Sequence, residues 1–417
     1  MNMITDLVRM WLTRSIKPFV FTGEFDSRLP YEECEQLGLY VHIPFCRSVC
    51  NFCPYCKVEY SKERCDRYID ALIQEIHLVG GRGEEKKRVT SLYFGGGTPA
   101  LAAGRLKEII DALGRYYDIT EGIGVELHPS DVVLPVLRTL RDAGVTKLSI
   151  GIQSFQGRHQ AVLGREAADP AALAAALAAV PFETVSMDFI FALPGQTLDE
   201  LKADIDTAFA NGANHIALYP FIDFTFTDSP VSAMPKKEKR RLMDAVTAYC
   251  QELGCVRNSI WTFAQGESVR YSSMTRETFL GFGCSAATLL REQFKVNTFS
   301  VEEYCRRVEA NSLPTALTLR FSLRQRMVYY LFWAAYGIQV AEADFERFFG
   351  VPLRKMYGVE LWAARRLGFV TYQNGVYEMT PRGAFYYHYF ESFYTLAYID
   401  KMWGMLRENA FPQRMEL

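Results

Sequence analysis

The sequence predicts an α/β fold: a parallel sheet with covering helices, followed by a smaller helical, winged-helix-like domain. Two observations carry this. Short apolar runs alternate with amphipathic stretches six times between residues 39 and 253, and past residue 291 the order changes to helix, helix, hairpin. The 417 residues, 49% apolar and 23% charged, have the balance of a globular protein with a sizeable core.

Residues 39–42, 91–94, 124–127, 147–150, 185–190 and 215–218 are continuous apolar runs and read as buried strands. Residues 67–79, 105–113, 131–143, 171–179, 198–211 and 236–253 have helical spacing. The alanine-rich stretch 167–180 belongs to one of these helices. Residues 324–336, 342–349 and 353–367 read as helices, and 369–373 and 376–379 flank the hairpin signal Asn374-Gly375. Domain boundaries follow at 1–35, 36–290 and 291–417. The terminal module reads as a structural or substrate-covering lid, because its basic residues are too dispersed for nucleic acid.

At the N-terminus, Ile4, Leu7, Val8, Trp11, Leu12 and Ile16 recur at helical spacing, with Arg9, Arg14 and Lys17 between them. Such a helix can lie in a membrane interface or pack on the core. The aromatic stretch 385–405 leaves a similar choice between a substrate cavity and ordinary core.

The net charge of −2 gives no global field for polyanions. No apolar run reaches membrane-spanning length, and residues 1–21 do not form a cleavable signal. Ten cysteines in so long a chain point to a reducing cytoplasm. Residues 1–20 are the segment able to touch the inner face of the membrane.

Cys46, Cys50 and Cys53 form a C-x3-C-x2-C loop directly after the first strand. Three thiolates so close can bind one small iron–sulfur cluster and leave one iron open, or join Cys56 around zinc. Gly95, Gly96, Gly97 and Thr98 follow the second strand, where glycine exposes backbone to a ligand. Glu126, Gln153 and Asp188 fall at the same sheet edge, where an ammonium and ribose hydroxyls would satisfy them. Arg165 could pair with a carboxylate.

These motifs resemble the radical S-adenosylmethionine superfamily, and within it the oxygen-independent coproporphyrinogen III oxidase-like branch. The likeness lies in Tyr40-Val41-His42-Ile43-Pro44-Phe45-Cys46, Phe94-Gly95-Gly96-Gly97-Thr98-Pro99 and Gly151-Ile152-Gln153-Ser154-Phe155-Gln156. It continues in Asp188 with Leu193-Pro194-Gly195-Gln196-Thr197, and in Gly281-Phe282-Gly283-Cys284-Ser285-Ala286. The resemblance implies a partial (β/α)6 barrel and a 4Fe–4S cluster on Cys46, Cys50 and Cys53. S-adenosylmethionine would lie against Tyr40, Phe52, Gly95, Gly96, Gly97, Thr98, Glu126, Gln153, Arg165 and Asp188, and a low-potential donor such as flavodoxin or ferredoxin would reduce the cluster. A second S-adenosylmethionine would lie near Gly281 and Gly283. Cys56, Tyr55 and Tyr219 are the candidate catalytic residues. The oxidases carry a further cysteine two positions after the third ligand, whereas here Cys56 stands three positions on. That departure leads to a class C methyltransferase as the first reading, acting on an sp2 carbon of a lipophilic acceptor such as the menaquinone ring. The alternatives are a tetrapyrrole enzyme (coproporphyrinogen decarboxylation or haem ring opening) and a haem chaperone.

Overall fold

The computed structural model describes residues 3–50, 52–81, 85–227, 234–266 and 277–417. Six parallel strands stand in chain order: β1 (Leu37–Ile43), β2 (Leu92–Gly96), β3 (Ile123–Leu127), β4 (Lys147–Gln153), β5 (Thr184–Phe191) and β6 (His215–Pro220). Five of them contain the predicted runs, lengthened at one or both ends, and β2 starts one residue later than expected, at Leu92. The helices between them fall where the 3.6-residue spacing puts them, for example Ala103–Leu113, Pro170–Ala179, Leu198–Ala210 and Lys236–Glu252. Thr197 caps one of these helices through a capping box with Glu200, which starts it sharply.

The sheet does not stop at residue 290. A seventh strand, β7 (Thr278–Phe282), pairs in parallel with the outer edge of β1. Antiparallel β8 (Ala287–Leu289), β9 (Gln293–Asn297) and β10 (Thr315–Arg320) extend it. Strand Val20–Thr22 pairs with β10 on one side and with Arg414–Glu416 on the other, so both ends of the chain are stitched into one fourteen-stranded sheet.

The smaller module has its own core around Met327, Phe345, Leu353, Tyr357 and Tyr377. Helices Leu323–Tyr336, Glu342–Phe349 and Leu353–Arg366 precede hairpin Val370–Gln373/Val376–Met379, whose turn has Asn374 at φ 50° and Gly375 at φ 82°. Strand Gln339–Ala341 adds a third member to this sheet. The aromatic C-terminal stretch is one bent helical run: Pro381–Tyr394, a π-helical turn at Thr395–Ile399, then Asp400–Glu408.

Candidate active site

Each central strand is buried along most of its length, and its open positions include the polar or phenolic ones. Tyr40 in β1, Glu126 in β3, Gln153 in β4 and Asp188 in β5 are half-buried among buried neighbours, while Tyr219 in β6 is 43% exposed. Helices cover the outer side, so the open positions face a lumen. Tyr55 in the cysteine loop is 53% exposed. Even so, burial pushes the Tyr55 and Tyr219 phenols up, with Glu126 and Asp188 adding to the effect.

The two carboxylates sit in that lumen. Glu126 accepts the Gly96 N–H at 3.0 Å, and burial pushes it up to about 7, with Asp188 contributing. Asp188 accepts from Ser186 Oγ at 2.9 Å and from Ser149 Oγ, and burial pushes it up to about 6. It lies beside a bulge where the register slips and Gln153 is held at φ 69°. A bulge with a left-handed non-glycine residue re-aims side chains at a site and stores strain there.

Cys46, Cys50 and Cys53 are half-buried on the loop leaving β1. Lys57 Nζ donates to the Cys50 carbonyl at 3.0 Å and to that of Cys53, clasping the loop from below. Burial pushes the Cys46 thiol up to about 11, and neighbouring Cys53 and Cys50 add to this while the Thr98 side chain opposes it. Burial also raises Cys50, with Arg165 opposing. Three soft donors on one loop, with Cys46 and Cys50 both raised and one guanidinium beside them, form a set that a metal cluster would neutralise. The residues therefore fit a cluster.

Cys56 is not part of that set, which removes the fourth thiolate of the zinc alternative. It is 5% exposed, donates to the Phe299 carbonyl at 3.1 Å and lies 3.9 Å from Cys284 Sγ. His42 stands next to this pair. Its Nε2–H donates to the Cys56 carbonyl at 3.0 Å, so its Nδ1 accepts from the Tyr40 hydroxyl at 3.0 Å. Of the candidate catalytic residues, Tyr55 and Tyr219 thus reach the lumen, and Cys56 is packed behind its wall.

The glycines serve the chain's own packing. A Cβ at Gly96, where φ is 118°, would lie 2.6 Å from the His42 ring, and one at Gly97 2.6 Å from the Phe45 carbonyl oxygen. At Gly95 it would meet the Glu126 carboxylate at 2.9 Å. Gly281 is blocked by the Ala287 carbonyl at 2.1 Å, and Gly283 by the Tyr68 hydroxyl at 2.5 Å. On the side where a Cβ would stand, these glycines thus permit close approach of His42, Glu126, Tyr68 and β8. Phe52 packs against Leu163, Ile190, Leu193 and Phe221 beyond the ends of β5 and β6.

The terminal module, expected as a structural or substrate-covering lid, supplies a cover, but its contact residues and the supports of Asp188 were not among the candidates. Arg407 donates to the Pro54 carbonyl and, at 3.1 Å, to that of Tyr55, while Trp403 lies 5.8 Å from the Tyr55 ring. The C-terminal helix therefore closes over the cysteine loop. Tyr336 is close enough to Tyr219 and Tyr55 for their charges to interact. Ser149 and Ser186, which hold Asp188, carry no sequence signal beyond being polar in apolar strands.

Residues 40–208 match the Radical SAM superfamily. The chain is similar to the heme chaperone HemW of Bacillus subtilis (strain 168), at 28% identity over 66% of this chain and 76% of that protein. It is also similar to the oxygen-independent coproporphyrinogen III oxidase of Synechocystis sp. (strain ATCC 27184 / PCC 6803 / Kazusa), at 26% identity over 83% of this chain and 82% of that one. A third relative is the anaerobilin synthase of Escherichia coli O157:H7, at 27% identity over 68% and 67% of the two chains. The solved structure of coproporphyrinogen III oxidase (HemN) from Escherichia coli shares the fold, with a TM-score of 0.75 over 91% of this chain and 97% of that chain at 20% identity. With its cysteine loop at the mouth of a parallel α/β sheet, the chain carries over residues 40–208 a domain of the Radical SAM superfamily, a family that uses a 4Fe–4S cluster and S-adenosylmethionine.

Proposed function

We propose that this chain is a radical S-adenosylmethionine enzyme whose substrate is a tetrapyrrole, either a porphyrinogen or a haem. The observation that carries the reading is the division of the lumen. Glu126 and Asp188 gather beside the cysteine loop, and Tyr55 and Tyr219 present half-open phenols at the same mouth, with Tyr336 buried behind them, an arrangement suited to one face of a flat macrocycle. Relatives named for coproporphyrinogen oxidation, anaerobilin synthesis and heme chaperoning favour this over methyl transfer to a quinone. Methyl transfer keeps only the motif resemblance at Gly281–Ala286.

In this reading Cys46, Cys50 and Cys53 hold the cluster. Glu126, Gln153, Arg165 and Asp188 hold the polar groups of S-adenosylmethionine, with Tyr40, Phe52 and the Gly95–Gly97 turn along its length and Thr98 bracing Cys46. When bound, these groups supply a 5′-deoxyadenosyl radical. The chain's own part is orientation and exclusion of water, with Arg407 and Trp403 closing the loop side. Tyr55 stands where the oxidases of this branch carry their further cysteine, and it presents a phenol to the substrate side.

The test is anaerobic incubation of the reconstituted protein with reductant, S-adenosylmethionine and either coproporphyrinogen III or haem, followed by mass spectrometry. Tetrapyrrole-dependent 5′-deoxyadenosine is expected, with loss of CO2 from the first substrate or a linear product from the second. Stoichiometric haem binding without cleavage, or methylation of an added quinone with neither tetrapyrrole consumed, would overturn the proposal.

Asp188 gives a second, quantitative expectation. Burial pushes its carboxyl up to about 6, above the ordinary carboxylate range, so the folded chain holds this proton more tightly than the unfolded chain. The resulting stability is complete in acid and is lost as pH rises through about 6. Asp188→Asn should therefore stabilise the ligand-free protein at pH ~8 by roughly 1–2 kcal/mol and leave it unchanged at pH ~4, while weakening S-adenosylmethionine binding about tenfold or more. Thermal melts at both pH values check this, and equal shifts at the two would contradict it.

A further inference from the structure

One face of the molecule, far from the cysteine loop in sequence, is apolar and open. On helix Met3–Thr13, Leu7 is 55%, Val8 39% and Trp11 58% exposed; on helix Leu353–Arg366, Val359 is 66% and Trp362 65% exposed. Large apolar side chains scattered singly over a surface need no explanation, but a contiguous patch does. These residues are contiguous. Arg14 stacks on the Trp11 ring at 4.7 Å and pairs with Glu360, the neighbour of Val359. The Tyr357 hydroxyl donates to the Leu12 carbonyl at 3.4 Å, which joins the two helices along their inner sides.

Cations border this patch. Val359, Trp362 and Arg366 are exposed and fall on one stripe of the helix beyond a kink at Tyr357, so two apolar side chains are followed by a cation, and Lys355 is exposed before the kink. Lys17 stands past the end of the N-terminal helix, and Ile16 beside it is 83% exposed. The acids of these two helices are answered from within the patch, Glu360 by Arg14 and Asp6 by Arg9. Lys17, Lys355 and Arg366 remain for an anionic partner, in a chain whose net charge is −2.

We propose that this face docks on the surface of an anionic lipid bilayer. Tryptophan belongs at the headgroup level, aliphatic side chains reach just below it, and lysine and arginine at the edges bury their stems and keep their charge with the lipid phosphates. No described helix is long and apolar enough to cross a membrane, so the contact is one of lying on it. A nucleic acid would need its cations at the centre of the stripe, where Val359 and Trp362 stand instead. The N-terminal helix packs against Leu323–Tyr336 and against Pro381–Tyr394, which fixes the patch to the body of the molecule. The proposal is independent of the reaction proposed above.

The test is sedimentation of the full chain with phosphatidylcholine vesicles, with and without phosphatidylglycerol. Pelleting with the anionic vesicles that weakens as salt is added is expected. Trp11→Glu with Trp362→Glu should lower the apparent affinity at least about tenfold, and Lys355→Glu with Arg366→Glu should remove the preference for phosphatidylglycerol. Neither pair touches the lumen, so S-adenosylmethionine cleavage should be unchanged, which also reports that the variants fold. For the unaltered chain, lipids brominated in their acyl chains should quench tryptophan fluorescence. A chain that stays in solution with anionic vesicles, or Trp variants that pellet as well as the parent, would refute the lipid surface. So would self-association, in place of vesicle binding, as the property that the Trp variants lose.

Discussion

Replacing Cys46, Cys50 or Cys53 by alanine is expected to abolish the iron–sulfur chromophore and the reductive cleavage of S-adenosylmethionine, each substitution alone sufficing. The loop is shaped by the chain before any metal arrives. Phe45–Cys46 pairs with Val58–Glu59, which closes residues 46–58 into a loop, and Lys57 fastens its interior carbonyls. Alanine therefore removes a ligand without releasing the fold, and the apo protein should keep its stability to within about 1 kcal/mol, as for a substitution that opens no deep cavity. The informative control is Cys56→Ala. Its thiol points to Phe299 and Cys284, away from the three, so this variant should keep a full complement of iron and sulfide. Iron and sulfide analysis with measurement of 5′-deoxyadenosine distinguishes the cases. Full clusters in all three loop variants, or loss of the cluster in Cys56→Ala, would refute the assignment of ligands.

That contrast marks what the sequence can and cannot say about the site. The six central strands are legible because a strand buried on both faces must be a continuous apolar run, and their helices because one stripe must be apolar at a 3.6-residue period. A lone Glu126 or Asp188 inside such a run is conspicuous for the same reason. The direction in which Cys56 points is a different kind of fact. It depends on a two-residue strand pairing that closes the loop and turns residue 56 inward, and spacing carries no trace of it. The glycines are half legible for a related reason: a sequence shows that a Cβ is missing but not what stands in its place, which here is the His42 ring or the Ala287 carbonyl. The outer strands β7 to β10 are hidden because they are short and carry Lys295, Asn297 and Thr315 on a buried surface. Polarity there signals an internal network, and a periodic reading takes it for exposure.

That network yields the largest expected effect on stability. Glu75, fully buried in helix Lys62–Gly80, accepts from the Gly283 N–H at 2.7 Å, from Asn297 Nδ2 at 3.0 Å and from the Tyr304 hydroxyl at 2.6 Å. Asn297 in turn accepts from Lys295 Nζ at 3.1 Å, which also donates to Thr315 Oγ1 at 3.2 Å. Burial pushes Lys295 down to about 8, with Glu75 opposing, and pushes Glu75 up, with Lys295 opposing. Each charge is thus tolerated because of the other. Glu75→Ala leaves three donors without their acceptor and a buried ammonium without its counter-charge, and breaking a buried pair in this way costs about 3–5 kcal/mol. Glu75→Gln keeps one acceptor oxygen, and Lys295 can shed its proton near pH 8, so its cost should be clearly smaller, about 1–3 kcal/mol. Denaturant unfolding near pH 7 should therefore rank the parent above Gln and Gln above Ala. Because Glu75 anchors the turn at Gly283 against the helix that follows the cysteine loop, the alanine variant should also lose affinity for S-adenosylmethionine, with no ligand of the cluster altered. A midpoint for Glu75→Ala within 1 kcal/mol of the parent, on the order of an ordinary surface substitution, would mean that the network is held by its neutral forms, and the electrostatic account of this part of the sheet would have to be given up.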